Sequence, residues 1–221
     1  MKKNKNIFII LFALLLAISS ILLVSCGESS KPASPDYLFN FTLNSDGRSY
    51  TISAEFKNIE GEIVIPNSYS GLPVKNIGSF SDCVNITSVI IPSSINIIEN
   101  QAFKNCKNLT NVSIPKSVTK IGSEAFSTTG LKSIVIPSSI TKIEDHAFYF
   151  CTNLVDVTIP NSVKEIGDDA FFVTGFNSIT FKGTKNQWSS IKKGLFWCNL
   201  QTTYTIRCND GNITYRPNYG I

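Results

Sequence analysis

One phrase, Ile-Pro-x-Ser-(Ile/Val)-x-x-Ile-x-x-x-Ala-Phe, occurs four times between Thr87 and Phe176. Equivalent phenylalanines fall at Phe80, Phe103, Phe126, Phe148 and Phe171, at intervals of 23, 23, 22 and 23 residues. Equivalent prolines fall at Pro66, Pro92, Pro115, Pro137 and Pro160, with a first interval of 26 and then 23, 22 and 23. A repeat this short cannot bury its apolar face alone; it must stack on a neighbour, so the chain is expected to wind into a solenoid. Such a fold presents long open faces.

Each unit carries two apolar stripes. Val89/Ile91, Val112/Ile114, Ile134/Ile136, Val157/Ile159 and Ile179/Phe181 alternate with mostly polar residues, the period of a strand with one buried face. Proline, which lacks the N–H for a strand ladder, is expected to end each strand and turn the chain. A second short extended piece follows, with Ile95/Ile98, Val118/Ile121, Ile140/Ile143 and Val163/Ile166 inward. The Ala-Phe pair reads as a turn or helical segment in which small Ala permits close approach and Phe fills the centre. The predicted fold class is a leucine-rich-repeat-like solenoid of 22–23-residue units, mainly β with short helical or turn segments, and a parallel sheet on one face.

Cys83, Cys106 and Cys151 each lie three residues after the core Phe, where the other units have Thr129 and Thr174. Cys units continue as Cys-x-Asn-(Leu/Ile); Thr units run Thr-Gly-(Leu/Phe) and are one residue shorter. Without convergent ligands these thiols read as packing residues and not a metal or redox site. A disulfide between neighbouring Cys83 and Cys106 is the alternative.

The ends of the chain differ from its middle. A basic start, Met1-Lys-Lys-Asn-Lys-Asn6, precedes an apolar run from Ile7 to Val24, the pattern of an export signal. Leu23-Val24-Ser25-Cys26 followed by Gly27 resembles a bacterial lipobox, which implies lipidation of Cys26 and cleavage before it. An ordinary signal peptide and an uncleaved anchor are the alternatives. The expected organisation is a signal over 1–25, a lipidated Cys26 and tether over 26–36, an N-terminal capping hairpin over 37–58, repeats over 59–182 and a C-terminal cap over 183–221. Of 20 Lys and Arg, Lys2, Lys3 and Lys5 leave with the signal, so 17 bases remain against 16 acids. A near-neutral chain without a basic cluster offers no footprint for nucleic acid.

Both caps read as hairpins with an Asp-Gly turn, at Asp46-Gly47 and Asp210-Gly211. Trp188, Phe196 and Trp197 are expected to cover the last coil. Cys198 and Cys208 lie outside the repeat register; either they pair, stapling the C-terminal cap, or they are two separate thiols.

Gly61-Glu-Ile-Val-Ile-Pro66, Gly71-Leu-Pro-Val-Lys-Asn-Ile-Gly78, the Ile-Pro-x-Ser units and Gly183-Thr-Lys-Asn-Gln-Trp188 together resemble the BspA-like leucine-rich-repeat family of bacterial surface proteins, over about residues 37–215. The resemblance implies an exported, often lipid-anchored protein, some members binding extracellular host proteins or other cells. It implies no catalytic motif, no cofactor and no catalytic residues, so the chain is not expected to be an enzyme.

His146, the sole histidine, aligns with Gln101, Glu124 and Asp169 and reads as a solvated side chain. Glu144-Asp145 and Asp168-Asp169 read as solvated loop charges, although a carboxylate pair in a cleft would suit an enzyme acting on polysaccharide. Two surfaces are candidates for contact with an extracellular protein or a glycan. In the two positions after the core Phe, polar pairs give way to Tyr149-Phe150 and Phe172-Val173. This patch either anchors a partner or lies under the cap. The outward strand column Ile90, Ser113, Val135, Thr158 and Thr180 is the second. A spacer lipoprotein without a dedicated ligand is the competing reading.

Overall fold

The computed structural model describes residues 32–199 and 203–216. The export signal, Cys26 and the start of the tether lie outside the described residues. The N-terminal hairpin joins β1 (Phe39–Leu43) to β2 (Tyr50–Ala54), antiparallel. The first coil follows with β3 (Gly61–Val64), β4 (Ser68–Tyr69) and β5 (Leu72–Ile77). A small β4–β5 hairpin, turning through Ser70 and Gly71 at positive φ, takes up the extra length of the 26-residue first interval.

Later coils place one strand on each of two faces. The strand face carries β3, β6 (Ile86–Ile90) and β8 (Asn111–Ser113) in parallel register. The second face carries β2, β5, β7 (Ile97–Ile98) and β9 (Lys120–Ile121). Then β10 (Ser133–Val135) and β11 (Lys142–Ile143), β12 (Asp156–Pro160) and β13 (Glu165–Ile166), and β14 (Ser178–Lys182) continue the winding. The expected single parallel sheet is thus accompanied by a narrower one on the second extended piece.

Four of the five repeat prolines begin a tight turn: Ile95, Val118, Ile140 and Val163 donate N–H to the carbonyls of Pro92, Pro115, Pro137 and Pro160. Inside, the core rings stack from coil to coil, with centroids 5.5, 5.4, 5.6 and 5.1 Å apart along Phe80, Phe103, Phe126, Phe148 and Phe171. All five rings are fully buried.

The Ala-Phe turns form a third ladder. Phe80, Phe103, Phe126 and Phe148 donate N–H to the Ala carbonyl of the next coil. The residue before Ala and the second after Phe stand in the left-handed region, at φ between 52 and 64° from Asp82 through Val173. Neither Gly nor Asn marks most of these positions; Thr128, Phe150 and Val173 are all unfavourable choices there. The ladder on both sides of each turn holds them in place.

One step is different. Neither β8 and β10 nor β9 and β11 are hydrogen-bonded to each other. On the turn face the same step is intact, through Phe126 N–H to the Ala147 carbonyl at 2.9 Å and Thr128 N–H to the Tyr149 carbonyl at 2.7 Å. The coils there are hydrogen-bonded along the phenylalanine side; on the strand side the ladders are interrupted, and Lys132 N–H to the Thr110 carbonyl at 3.5 Å and Ser139 Oγ to the Val118 carbonyl cross the step.

The helix α1 (Lys185–Ser190) begins with a capping box between Thr184 and Gln187. Hydrogen bonding then continues the solenoid past Gly183. β15 (Lys192–Lys193) pairs with β13, and Phe171 N–H donates to the Trp197 carbonyl. β16 (Tyr204–Cys208) extends the strand face beside β14, and β17 (Gly211–Tyr215) closes it antiparallel. Asn209 and Asp210 form the loop of that hairpin and Gly211, at φ 118°, begins the returning strand. The two hairpins cap different faces. Buried Trp188 and Trp197 seal this end, and Trp188 Nε1 donates to the Tyr215 hydroxyl at 3.2 Å.

The Cys/Thr register has a shared chemistry. Cys106 Sγ donates to the Phe80 carbonyl at 3.1 Å and Cys151 Sγ to that of Phe126 at 3.0 Å. Thr129 and Thr174 donate to the carbonyls of Phe126 and Phe171 in their own coils. The position calls for a small donor under a buried carbonyl, which thiol and hydroxyl both supply. Cys83 and Cys106 are free thiols and form no bridge.

The Cys198–Cys208 bridge considered from the sequence is not made either; both thiols are free. Cys198 lies against Tyr204, at the start of β16. Cys208 is four residues along that strand, a rise of about 13 Å, which exceeds disulfide reach. Burial pushes the Cys106 and Cys198 thiols up to about 12. A thiol-specific disulfide reagent should therefore label half-exposed Cys208 first. Cys83, Cys106, Cys151 and Cys198 should react only as fast as the chain opens, as mass spectrometry of timed samples will report.

Candidate functional site

The turn face carries the aromatic patch. Tyr149 and Phe172, one coil apart, stack with centroids 6.0 Å apart and planes 16° from parallel. Phe150 packs beside Tyr149 at 4.8 Å and is 42% exposed. Phe196, expected to cover the last coil as part of the cap, instead stands 59% exposed and extends the row, 6.4 Å from Phe172. Its backbone occupies the left-handed position before the Ala slot, which aims the side chain outward, and Leu195 beside it is 71% exposed. The cap's aromatics that do turn inward are Trp188 and Trp197. Among the described residues the patch is open.

At the other end of this row lies a small hollow. Ser127, buried, takes the place that Tyr149 and Phe172 hold in the next two coils. The hollow it leaves, of 320 Å³, is lined by Lys104, Glu124, Ser127, Thr128, His146 and Tyr149. Lys104 Nζ pairs with Glu124 Oε2, and Gln101 donates to Glu124 Oε1 at 2.9 Å. These hydrogen bonds, Lys104's first, hold the Glu124 carboxyl below its ordinary range. His146 Nε2 lies 3.4 Å from Asp169 Oδ2, and its ring meets Tyr149 edge-on at 5.3 Å. His146 is thus partly solvated, but also fixed between two coils.

The acidic pairs are more than solvated charges. Asp145 Oδ1 accepts the N–H of Asp168 at 3.0 Å, and Asp168 Oδ1 accepts that of Leu195 at 2.6 Å. Asn100 does the same for Ser123 at 3.0 Å, and Ser53 for Ser79 at 3.1 Å. These side chains stitch coil to coil. No residue preceding them in sequence announced this role.

On the strand face Ile90 is 37% and Val135 63% exposed. Ile90 stands opposite Ser113, and Val135 opposite Thr158, but the two pairs are separated by the unpaired step between β8 and β10. A shallow trough of 700 Å³ lies over that step, between Asn111–Ile114 and Ser133–Pro137, with Lys116 and Lys182 at its margins. The column is therefore no continuous flat strip. Among the described residues no group of three or more His, Cys, Asp or Glu is arranged to hold a metal ion.

Stacked coils with open strand and turn faces define a leucine-rich-repeat solenoid, an architecture whose families are typically non-catalytic binding modules. The chain belongs to the BspA-type leucine-rich-repeat family: the family described as "BspA type Leucine rich repeat region (6 copies)" matches residues 76–211. It is similar to a leucine rich cell surface protein of Faecalibacterium prausnitzii A2-165, with 28% identity and a TM-score of 0.58 over 70% of this chain and 40% of that one. It is also similar to the T. pallidum leucine rich repeat protein, with 26% identity and a TM-score of 0.53 over 68% of this chain and 86% of that one. The chain thus spans 40% of the length of the first of these structures. No curated protein matches the sequence.

Proposed function

We propose that this chain is an exported, Cys26-anchored surface protein that works as a non-catalytic binding module, docking an extracellular protein on its turn face. The observation that carries the reading is the open aromatic row of Tyr149, Phe150, Phe172 and Phe196. Adjacent exposed aromatics of this kind give large contact area at little entropic cost and dominate binding energy at protein interfaces. Two things support the location: the lipobox-like Leu23-Val24-Ser25-Cys26 and the likeness to a protein described as a cell surface protein. The adhesion role follows from a binding face held near a bilayer by a short tether.

The test uses the full chain in micelles against immobilised matrix and plasma proteins, beside the Tyr149→Ala/Phe150→Ala/Phe172→Ala variant. The mass of the same preparation reports acyl groups on Cys26. Saturable binding is expected, with a loss of at least 100-fold in the variant, since removing an interface anchor costs about 2 kcal/mol or more. Binding that survives the triple variant would move the site to the strand-face trough. Binding to none of the panel would favour a spacer role.

A further inference from the structure

We infer that the hollow over Ser127 is a binding subsite for a single neutral pyranose unit of a glycan. The inference does not rest on the protein-docking reading and shares only Tyr149 with it. The position after the core Phe runs Ser81, Lys104, Ser127, Tyr149, Phe172 along successive coils. Phe172 covers one face of the Tyr149 ring, and the hollow opens beside Tyr149 toward Ser127. The stack of rings therefore stops one step short, with space where its next member would stand.

The lining says what fits that space. One wall is an aromatic ring; the other five residues present an ammonium, a carboxylate, two hydroxyls and an imidazole. A planar aromatic guest would satisfy the ring but leave the remaining hydrogen-bonding capacity of these groups unused once water was displaced, which is costly. A pyranose has both parts, a flat C–H face for Tyr149 and a rim of hydroxyls that donate and accept. Glu124, held ionised by Lys104 and Gln101, is an acceptor for sugar hydroxyls. Ser127 and Thr128, with hydroxyl oxygens 3.4 Å apart, and His146 supply further donors and acceptors.

Charge and size narrow the ligand. Lys104 is paired with Glu124, and Asp169 stands 3.4 Å from the His146 imidazole, so the rim has no surplus positive charge to attract an acidic sugar. The volume of 320 Å³ lies at the lower end of the range of about 300–1,000 Å³ for ligand pockets, which suits one ring and not an extended chain. A single sugar bound in so open a site will be weak, and useful affinity would come from several copies on one cell surface.

Saturation-transfer NMR on the full chain, in a detergent without a sugar headgroup, tests this directly. The probes are the methyl β-glycosides of glucose, galactose, N-acetylglucosamine and N-acetylgalactosamine, with N-acetyltyrosine amide and a methyl glucuronide as comparators. Transfer is expected to at least one neutral glycoside, concentrated on the protons of one ring face. Ser127→Tyr, which puts in the hollow the residue that the next coil already carries, should abolish it. Glu124→Gln, which keeps the shape, should weaken it at least fivefold. Transfer to none of the neutral glycosides, or transfer unchanged in both variants, would overturn the inference. So would variant-sensitive transfer to N-acetyltyrosine amide or the glucuronide alone, which would assign the hollow to an aromatic side chain or an acidic sugar. Protein docking through Phe150 and Phe172 should survive Ser127→Tyr, so failure of either reading leaves the other legible.

Discussion

Phe126→Asp should abolish the cooperative thermal transition of this protein. Phe126 is fully buried, with ring neighbours Phe103 at 5.4 Å and Phe148 at 5.6 Å. Truncating a buried Phe to Ala costs about 3–5 kcal/mol by itself. An aspartate adds a carboxylate with no cation in the stack to pair with, and burying it costs several kcal/mol more. Together these approach or exceed the roughly 5–15 kcal/mol by which domains are stable. The position makes the outcome more specific. Phe126 supports the one step, among the described residues, at which neither strand ladder continues, so its ring and the turn-face hydrogen bonds carry a larger share of the contact there than elsewhere. Since each coil contacts only its neighbours, the loss should split the solenoid there. Limited proteolysis should then cut first between Phe126 and Pro137, while Phe126→Leu retains one transition at lower temperature. An unchanged transition in Phe126→Asp would sink the assignment of this ring to the core.

The stacked coils, the stripes and the turns at proline were legible because each rests on residue type at a fixed interval. Past Gly183 the repeat is no longer legible, for a physical reason. In the last turn the Ala-Phe slot is filled by Trp197-Cys198, a large residue and a small one in reversed order. The slot still holds one large and one small buried residue, but their order and identity are lost, and packing tolerates such changes where the space is filled. The outward column of Phe196 is hidden for the same reason: no repeat residue marks the coil it belongs to.

Features that depend on two coils at once were also hidden. The left-handed φ values of Thr128, Phe150 and Val173 are imposed by ladders on either side and leave no Gly or Asn to mark them. The unpaired step beside β10 has no residue signature of its own. Of the candidate site, Tyr149 and Phe172 stood out as aromatics in a polar column. The hollow beside them did not, because it is made by a small residue, Ser127, between two large ones.

The shortened units show how far such a two-coil rule reaches. A Cβ on Gly130 would lie 2.3 Å from the Lys107 carbonyl oxygen, and one on Gly175 2.5 Å from that of Thr152. The shorter loop passes directly over the preceding coil's backbone, so it needs glycine for room and not for dihedral freedom. Length and residue type vary together for that reason.

Gly122→Ala extends this logic to the Asx stitch and should lower the melting temperature by about 4–16 °C. A Cβ there would stand 2.5 Å from both Asn100 N and Asn100 Oδ1, and 2.7 Å from the Glu99 carbonyl carbon. Two of these atoms are backbone, so no rotamer change relieves the clash. Asn100 Oδ1 also accepts the Ser123 N–H at 3.0 Å, a bond that spreading the coils would lengthen. Overpacking of this kind costs about 1–3 kcal/mol and the hydrogen bond about 1 kcal/mol. For a chain of this size each kcal/mol shifts the transition by about 2–4 °C. Glu99→Ala is the control, because Glu99 fills the same slot one coil earlier and loses only a hydrogen bond from Asn76. It should melt within about 2 °C of the parent. Asn100→Ala should not rescue Gly122→Ala, since the backbone contacts remain. If calorimetry finds Gly122→Ala as stable as the parent, the close approach of these coils is not what glycine is there to permit. The matching pairs Gly167 with Asp145 and Gly194 with Asp168 would then need another explanation.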